Sequence, residues 1–286
     1  MRHFILVTGA STGIGQHASK IFIEAGYEVL AGVRSDQDAD RLKAQLGLKV
    51  HPLIMDVTDH TSVENAKRQA EMEMEGGYLV AIINNAGVVV TGAVLYVPME
   101  AWQRQLDVNV MGVIRTTQLF FPLLSRPRET SDHHPRRIIN MSSVSGLFAS
   151  PFMAPYVSSK FALEGLSDSL RRELYMYDIQ VVLIEPGGII TPMWQKAKED
   201  TSYFGPEYES ILEFKDKVIH QNVATGLPLE VLDSTLLGAV RNPKVRVRYL
   251  IRRSKWKLQL IRILPVKWVD RLVRKKLQDR SGIRPF

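Results

Sequence analysis

His3-Phe4-Ile5-Leu6-Val7-Thr8-Gly9-Ala10-Ser11-Thr12-Gly13-Ile14-Gly15 runs from a short apolar segment straight into three glycines spaced within seven residues. The apolar run reads as a first strand over Phe4–Val7. Apolar residues at helical spacing from Ile14 to Ala25, followed by Gly26, read as a helix and its stop. Glycines between strand and helix permit a tight turn and let backbone N–H groups approach a phosphate at the positive helix N-terminus. The spacing is G-x-x-x-G-x-G, not the commoner G-x-G-x-x-G, so the turn points to a nucleotide without specifying which one.

Outward from this turn the pattern repeats. Strands are expected at Tyr27–Val33, Val50–Met55, Leu79–Ile83, Arg137–Asn140 and Gln180–Ile184, with an edge strand at Val245–Tyr249. Helices are expected from Asp36 to Leu46, after the cap candidates Thr58 and Asp59, from Pro98, from Asn109 to Leu124, and from Tyr156 to Tyr177. Single helices alternating with apolar, β-branched strands predict a Rossmann-type, doubly wound α/β fold. About seven parallel strands should carry helices on both faces. Ser125–Arg136 reads as a surface loop, with His133 and His134 as solvated loop residues and no metal site. One domain over residues 1–250 is expected, followed by a basic helical extension over 251–286.

The 286 residues are 45% hydrophobic and 23% charged, ample for one large core. Without cysteine there is neither a disulfide framework nor a thiolate metal site. The start lacks a charged segment leading into a long apolar one, and no apolar run reaches 18 residues, so a cytoplasmic protein is expected. The net charge of +7 is unevenly placed. Residues 241–286 hold 16 Lys and Arg against two acids, and the first 240 residues hold 21 against 28.

Tyr156-Val157-Ser158-Ser159-Lys160, with Ser143 thirteen residues upstream, carries the chemistry. Tyr and Lys four apart share one helix face. An ammonium there favours the phenolate and draws a phenol, with an ordinary pKa of about 10, towards acid–base work. Taken alone, such a pair is also an ordinary solvated helix contact.

Thr8–Gly15, Asn84-Asn85-Ala86-Gly87, Asn109, Ser143, Tyr156, Lys160 and Pro186-Gly187 together resemble the motif set of the short-chain dehydrogenases/reductases. They keep that family's order and spacing across roughly residues 4 to 250. The segment from Ser159 to Leu166 is similar to the 17-beta-hydroxysteroid and retinol dehydrogenase branch. The resemblance implies an NAD(P)-dependent oxidoreductase with Tyr156 as general acid/base. Lys160 should act on the phenol and the nicotinamide ribose, Ser143 should donate to the substrate oxygen, and Asn109 should bend a helix and hold a relay water. Ser142 and Ser145 are rivals to Ser143, and the thirteen-residue interval decides for Ser143. Ser142 is expected to cap backbone at the strand end.

The same resemblance assigns the cofactor to Gly9, Ser11, Thr12, Gly13, Ile14 and Gly15. It adds Asp56 and Val57 at the adenine, Asn85, Ala86 and Gly87 at the ribose, and Pro186, Gly187 and Thr191 at the carboxamide end. Asp56 and Thr191 also read as plain caps. Val33 stands where NAD enzymes of the family carry an acid, and Arg34 and Ser35 suit a 2′-phosphate, so NADP(H) is favoured over NAD(H). Thr12, where many NADP enzymes carry a basic residue, and the nearby Asp36 argue the other way.

The family's mobile lid falls at about 192–225. Phe148, Phe152, Met153, Met193 and Trp194 are candidates for an apolar substrate pocket, or simply for core. If they line a pocket, the substrate is an apolar alcohol or ketone of steroid, retinoid or acyl type. A 3-oxoacyl-carrier-protein reductase is the enzymatic alternative. A membrane-surface or nucleic-acid-binding protein built on the same fold is the non-enzymatic one.

In the extension, Pro265 should break the helix between Trp256–Leu264 and Val266–Leu277. The second segment has an apolar stripe beside Trp268 and several basic residues, which suits an anionic membrane surface or packing against the acidic body. No nucleic-acid reading motif accompanies the charge, and no such partner is expected. The family implies a homodimer or homotetramer formed by the helices near Asn109 and Tyr156.

Overall fold

The computed structural model describes residues 1–127, 129, 132–193, 202–208 and 226–281. Among them, seven strands form one parallel sheet in the order β3-β2-β1-β4-β5-β6-β7. The strands are β1 (Arg2–Thr8), β2 (Glu28–Val33), β3 (Val50–Ile54), β4 (Gly77–Asn84), β5 (Arg136–Met141), β6 (Ile179–Pro186) and β7 (Arg248–Ile251). Strand order reverses between β1 and β4, so the C-terminal ends of those strands open a crevice at the switch point. The glycine-rich turn lies there.

Side chains alternate across the sheet and give each face its own core. On one face Ile5, Val7, Val29 and Ala31 pack with Ala18, Ile21 and Phe22 of α1 (Gly13–Glu24). Leu42 of α2 (Asp36–Leu46) joins them, as do Leu236 and Val240 of a later helix, Asp233–Arg241. On the other face Phe4, Leu6, Leu30 and Leu53 meet Val63, Ala66 and Ala70 of α3 (His60–Glu73). Phe120, Leu123 and Leu124 of α5 (Gly112–Leu124) complete that layer.

Several expected boundaries move, each for a local reason. Asp59, not Thr58, caps α3 by accepting from Thr61 N–H at 2.9 Å, because Thr58 is turned onto the Asp56 carboxylate. Pro98 occupies the cap position one residue ahead of α4 (Met99–Leu106). The helices expected from Pro98 and from Asn109 join into one rod, with a π-helical turn at Asp107–Met111 between α4 and α5. The edge strand lies three residues later at its start than its basic–apolar alternation suggests, because it takes its register from β6, with Leu183 opposite Arg248.

Ala154–Glu173 forms α6, the long helix carrying Tyr156 and Lys160. Asp233–Arg241 is α7, and Pro265 separates α8 (Lys255–Ile263) from α9 (Val266–Ser281). No described helix is long and apolar enough to cross a membrane. Most of the expected lid at 192–225, Trp194 included, lies outside the described residues.

Candidate active site

The turn after β1 is fastened to the end of β4 by side chains from both. Thr8 Oγ1 accepts from the backbone N–H groups of Asn85 and Ala86, each at 3.0 Å. Asn85 Nδ2 donates back to the carbonyls of Thr8 and Gly9 at 2.9 and 3.1 Å. This clasp leaves no room for a side chain. A Cβ at Gly9, where φ is +64°, would stand 2.8 Å from Ala86 Cα, and one at Gly15 would stand 2.3 Å from the Gly9 carbonyl oxygen. The N-terminus of α1, capped by no side chain, faces the space so kept open.

That space is a cleft of about 810 Å³, its open mouth included. One wall is the turn, with Gly9, Thr12, Gly13 and Ile14, and beside it lie Asn85, Ala86 and Gly87. The other wall brings Ser143, Tyr156 and Lys160 together with Pro186, Gly187, Thr191 and Met193. The bare glycine floor, the exposed helix terminus and an acid–base pair at the inner end fit a dinucleotide.

Tyr156 is 5% exposed and Lys160 6%, so both ionise against a low dielectric. Burial pushes the Tyr156 phenol above its ordinary value, and a hydrogen bond with Ser143 opposes the rise in part. The expected lowering by Lys160 is not what this state of the site displays. The Lys160 ammonium donates to the Met141 carbonyl at 2.7 Å and lies 5.7 Å from the centre of the Tyr156 ring. Burial lowers Lys160 to about 8, while the Glu164 carboxylate works the other way.

Ser143 starts the turn at Val144–Gly146, and its Oγ accepts from Ser145 N–H at 3.1 Å. The Ser142 hydroxyl does not cap backbone; it donates to the Glu164 carboxylate, which α6 brings against the strand end. Asn109 sits in the π-helical turn and is 1% exposed. Its Oδ1 accepts from Val88 N–H at 2.9 Å, and its Nδ2 donates to Ser159 Oγ at 3.1 Å. Ser159 in turn donates to the Tyr156 carbonyl at 2.7 Å, so one asparagine joins the β4 loop to the Tyr156 helix.

Asp56, expected to meet the adenine, accepts from the N–H and hydroxyl of Thr58 and so forms a local turn, while Val57 packs against Gly112. Ser35 caps α2 by accepting from Asp38 N–H at 3.2 Å, which leaves Arg34 as the exposed group at the end of β2. Arg41, a residue the sequence does not single out, reaches across from α2 to the Ser11 carbonyl at 3.2 Å. Gln105 is a second such residue. It is fully buried and holds the loop at Val88 and Val90, and its position one turn before Asn109 is the available signal.

Of the pocket candidates, Met193 lines the cleft. Phe152, at φ +63°, turns into an aromatic group with Phe204 and Tyr208, at ring distances of 5.8 and 5.6 Å. Phe148 and Met153 are half-buried and lie outside the cleft lining.

A Rossmann-type sheet with a glycine-floored cleft ending on Ser, Tyr and Lys defines a dinucleotide-dependent oxidoreductase. The family model for short chain dehydrogenase matches residues 3–202. The NADPH-dependent 3-dehydrocapnine reductase of Ornithobacterium rhinotracheale is 32% identical over 96% of this chain and 97% of its own length. Human retinol dehydrogenase 5 is 35% identical over 66% of this chain and 58% of its own length. A short chain dehydrogenase/reductase from Burkholderia phymatum, solved in complex with NAD, has the same fold. Its TM-score is 0.75 at 20% identity, over all of this chain and 98% of that one. The chain belongs to the short-chain dehydrogenase/reductase family, whose enzymes interconvert alcohols and carbonyls with NAD(P).

Proposed function

We propose that the protein interconverts an apolar, bulky alcohol and its carbonyl, with Tyr156 moving the proton and NADP(H) preferred over NAD(H). The observation that carries this reading is the hydrogen bond between the buried Tyr156 phenol and Ser143 at the inner end of the glycine-floored cleft. The cofactor, when bound, carries the hydride chemistry. The chain's own residues are left with the proton and the charge on the substrate oxygen. Ser143 donates to that oxygen, Tyr156 exchanges the proton with it, and Lys160 supplies positive charge beside the phenol. Burial keeps Tyr156 protonated, the form from which a carbonyl is reduced.

NADP is favoured because the exposed guanidinium of Arg34 stands at the end of β2, and Arg41, paired with Asp38, reaches the Ser11 carbonyl of the glycine-rich turn. The Ornithobacterium relative, named for NADPH dependence, supports the same preference. The apolar substrate rests on Met193 in the cleft. Met111 and Phe161, exposed on or beside the two helices that family members pair, support a homodimer.

The extension favours a lipid contact over packing on the body. Among the described residues of α8 Leu258 is the buried one, whereas Trp256, Leu260 and Ile263 form an exposed stripe at positions i, i+4 and i+7. On α9 Trp268 and Leu272 are exposed alongside Lys267, Arg271 and Arg274, which suits an anionic bilayer surface.

The test is Tyr156→Phe in a turnover screen of steroids, retinoids and acyl ketones with both cofactors. The variant should bind cofactor and lose all turnover. Turnover that survives the change overturns the acid–base assignment.

A further inference from the structure

Behind the cleft, on the side away from the cofactor floor, lies a charged cluster that none of the catalytic motifs contains. Glu164 follows Lys160 by one turn of α6 and is 8% exposed. It receives the Ser142 hydroxyl on one oxygen and Arg248 Nε of β7, at 3.2 Å, on the other. Arg248 also donates through Nη2 to Asp168 at 2.9 Å, and its Nε lies 3.4 Å from the buried Glu185 of β6. Arg171 also pairs with Asp168, at 3.2 Å.

Glu164, Asp168 and Glu185 meet Arg171 and Arg248 in this cluster. Lys160, one turn before Glu164 on α6, is the cation whose charge the Glu164 carboxylate favours. The other groups facing Lys160 are the Met141 carbonyl, the hydroxyls of Ser142 and Ser143, and the Tyr156 phenol, all neutral while the phenol is protonated.

We propose that Glu164, steered by Arg248, is the positioning residue that keeps Lys160 charged and fixes the Ser142–Ser143 segment opposite Tyr156. Two contacts make it one device. The Glu164 carboxylate opposes the loss of charge that burial imposes on Lys160. Its side chain also packs on the turn after Ser143, where a Cβ at Gly146 would meet Glu164 Cγ and Ser142 Oγ at 3.0 Å each. The edge strand thereby reaches the proton-handling site through one arginine.

The inference rests on Lys160 acting at the cofactor, and the experiment separates the two. The readout is the pH dependence of NADPH affinity, followed by nicotinamide fluorescence on the full chain. In the wild type, affinity should fall as pH rises through about 8, where Lys160 loses its proton. Lys160→Met should remove this limb, and a limb that persists in that variant sinks the Lys160 assignment itself. Glu164→Gln keeps one acceptor oxygen, for Arg248, and turns the other contact into an amide donor towards the Ser142 hydroxyl; it should move the limb down by about one pH unit. Glu164→Asp, which keeps the negative charge, should leave the limb close to its wild-type position. A limb unmoved by Glu164→Gln while Lys160→Met abolishes it, or moved as far by Glu164→Asp as by Glu164→Gln, overturns the proposal.

Discussion

Replacing Lys160 by Met should stabilise the cofactor-free protein at neutral pH and destabilise it in alkali. Lys160 titrates at about 8 in the folded chain against 10.5 for the free side chain. A tenfold change in a proton equilibrium corresponds to about 1.4 kcal/mol, so the buried charge costs about 3 kcal/mol. A lysine depressed on folding binds fewer protons in the native than in the unfolded state between these two values, and native stability rises with pH there. The penalty is therefore full below about pH 8 and gone by about 10.5. Methionine fills a similar volume but forfeits the hydrogen bond to the Met141 carbonyl, a loss of about 1 kcal/mol. The variant should gain about 2 kcal/mol at pH 7 and lose about 1 kcal/mol near pH 10.5. Urea unfolding of both proteins at the two pH values measures this, because titrations common to both cancel in the difference. A difference that does not vary with pH refutes the argument. Helix α6 would then carry no strained charge.

Three further outcomes follow from the same geometry. Gly15→Ala places a methyl against the Gly9 carbonyl and Asn85 Nδ2 and should lower stability by about 1–3 kcal/mol. It should also weaken NADPH binding at least about tenfold, since the turn must open, and unchanged binding in a fluorescence titration contradicts the clasp. Arg34→Asp should weaken NADPH by about tenfold or more relative to NADH, from the loss of a charged hydrogen bond, and equal losses count against the NADP preference. Trp256→Ala with Ile263→Ala leaves the core intact, because both side chains are exposed, and should reduce sedimentation with anionic vesicles. Binding that stays the same removes the lipid contact.

Much of the fold was legible because its signals are local. Period-two apolar runs and helical spacing need only a few neighbouring residues, and the strand–glycine–helix order at Phe4–Gly15 places the cofactor end before any tertiary contact is known. Tyr156 and Lys160 fall on one face through helix geometry alone. Roles that come from distant partners were hidden. Gln105 was not singled out, Asn109 was named but not for the loop after β4 that both side chains hold, and the register of the edge strand is set by β6.

The sequence by itself determined the sheet, the glycine turn and the pairing of Tyr156 with Lys160 on one helix face, since each depends on the spacing of neighbours along the chain. Only the tertiary structure decided the electrostatic state of that pair. Burial raises Tyr156 and lowers Lys160, and the carboxylate beside the lysine is held by an arginine 84 residues further along the chain. A charge responds to everything within a few ångströms of it, whichever part of the chain supplies those atoms.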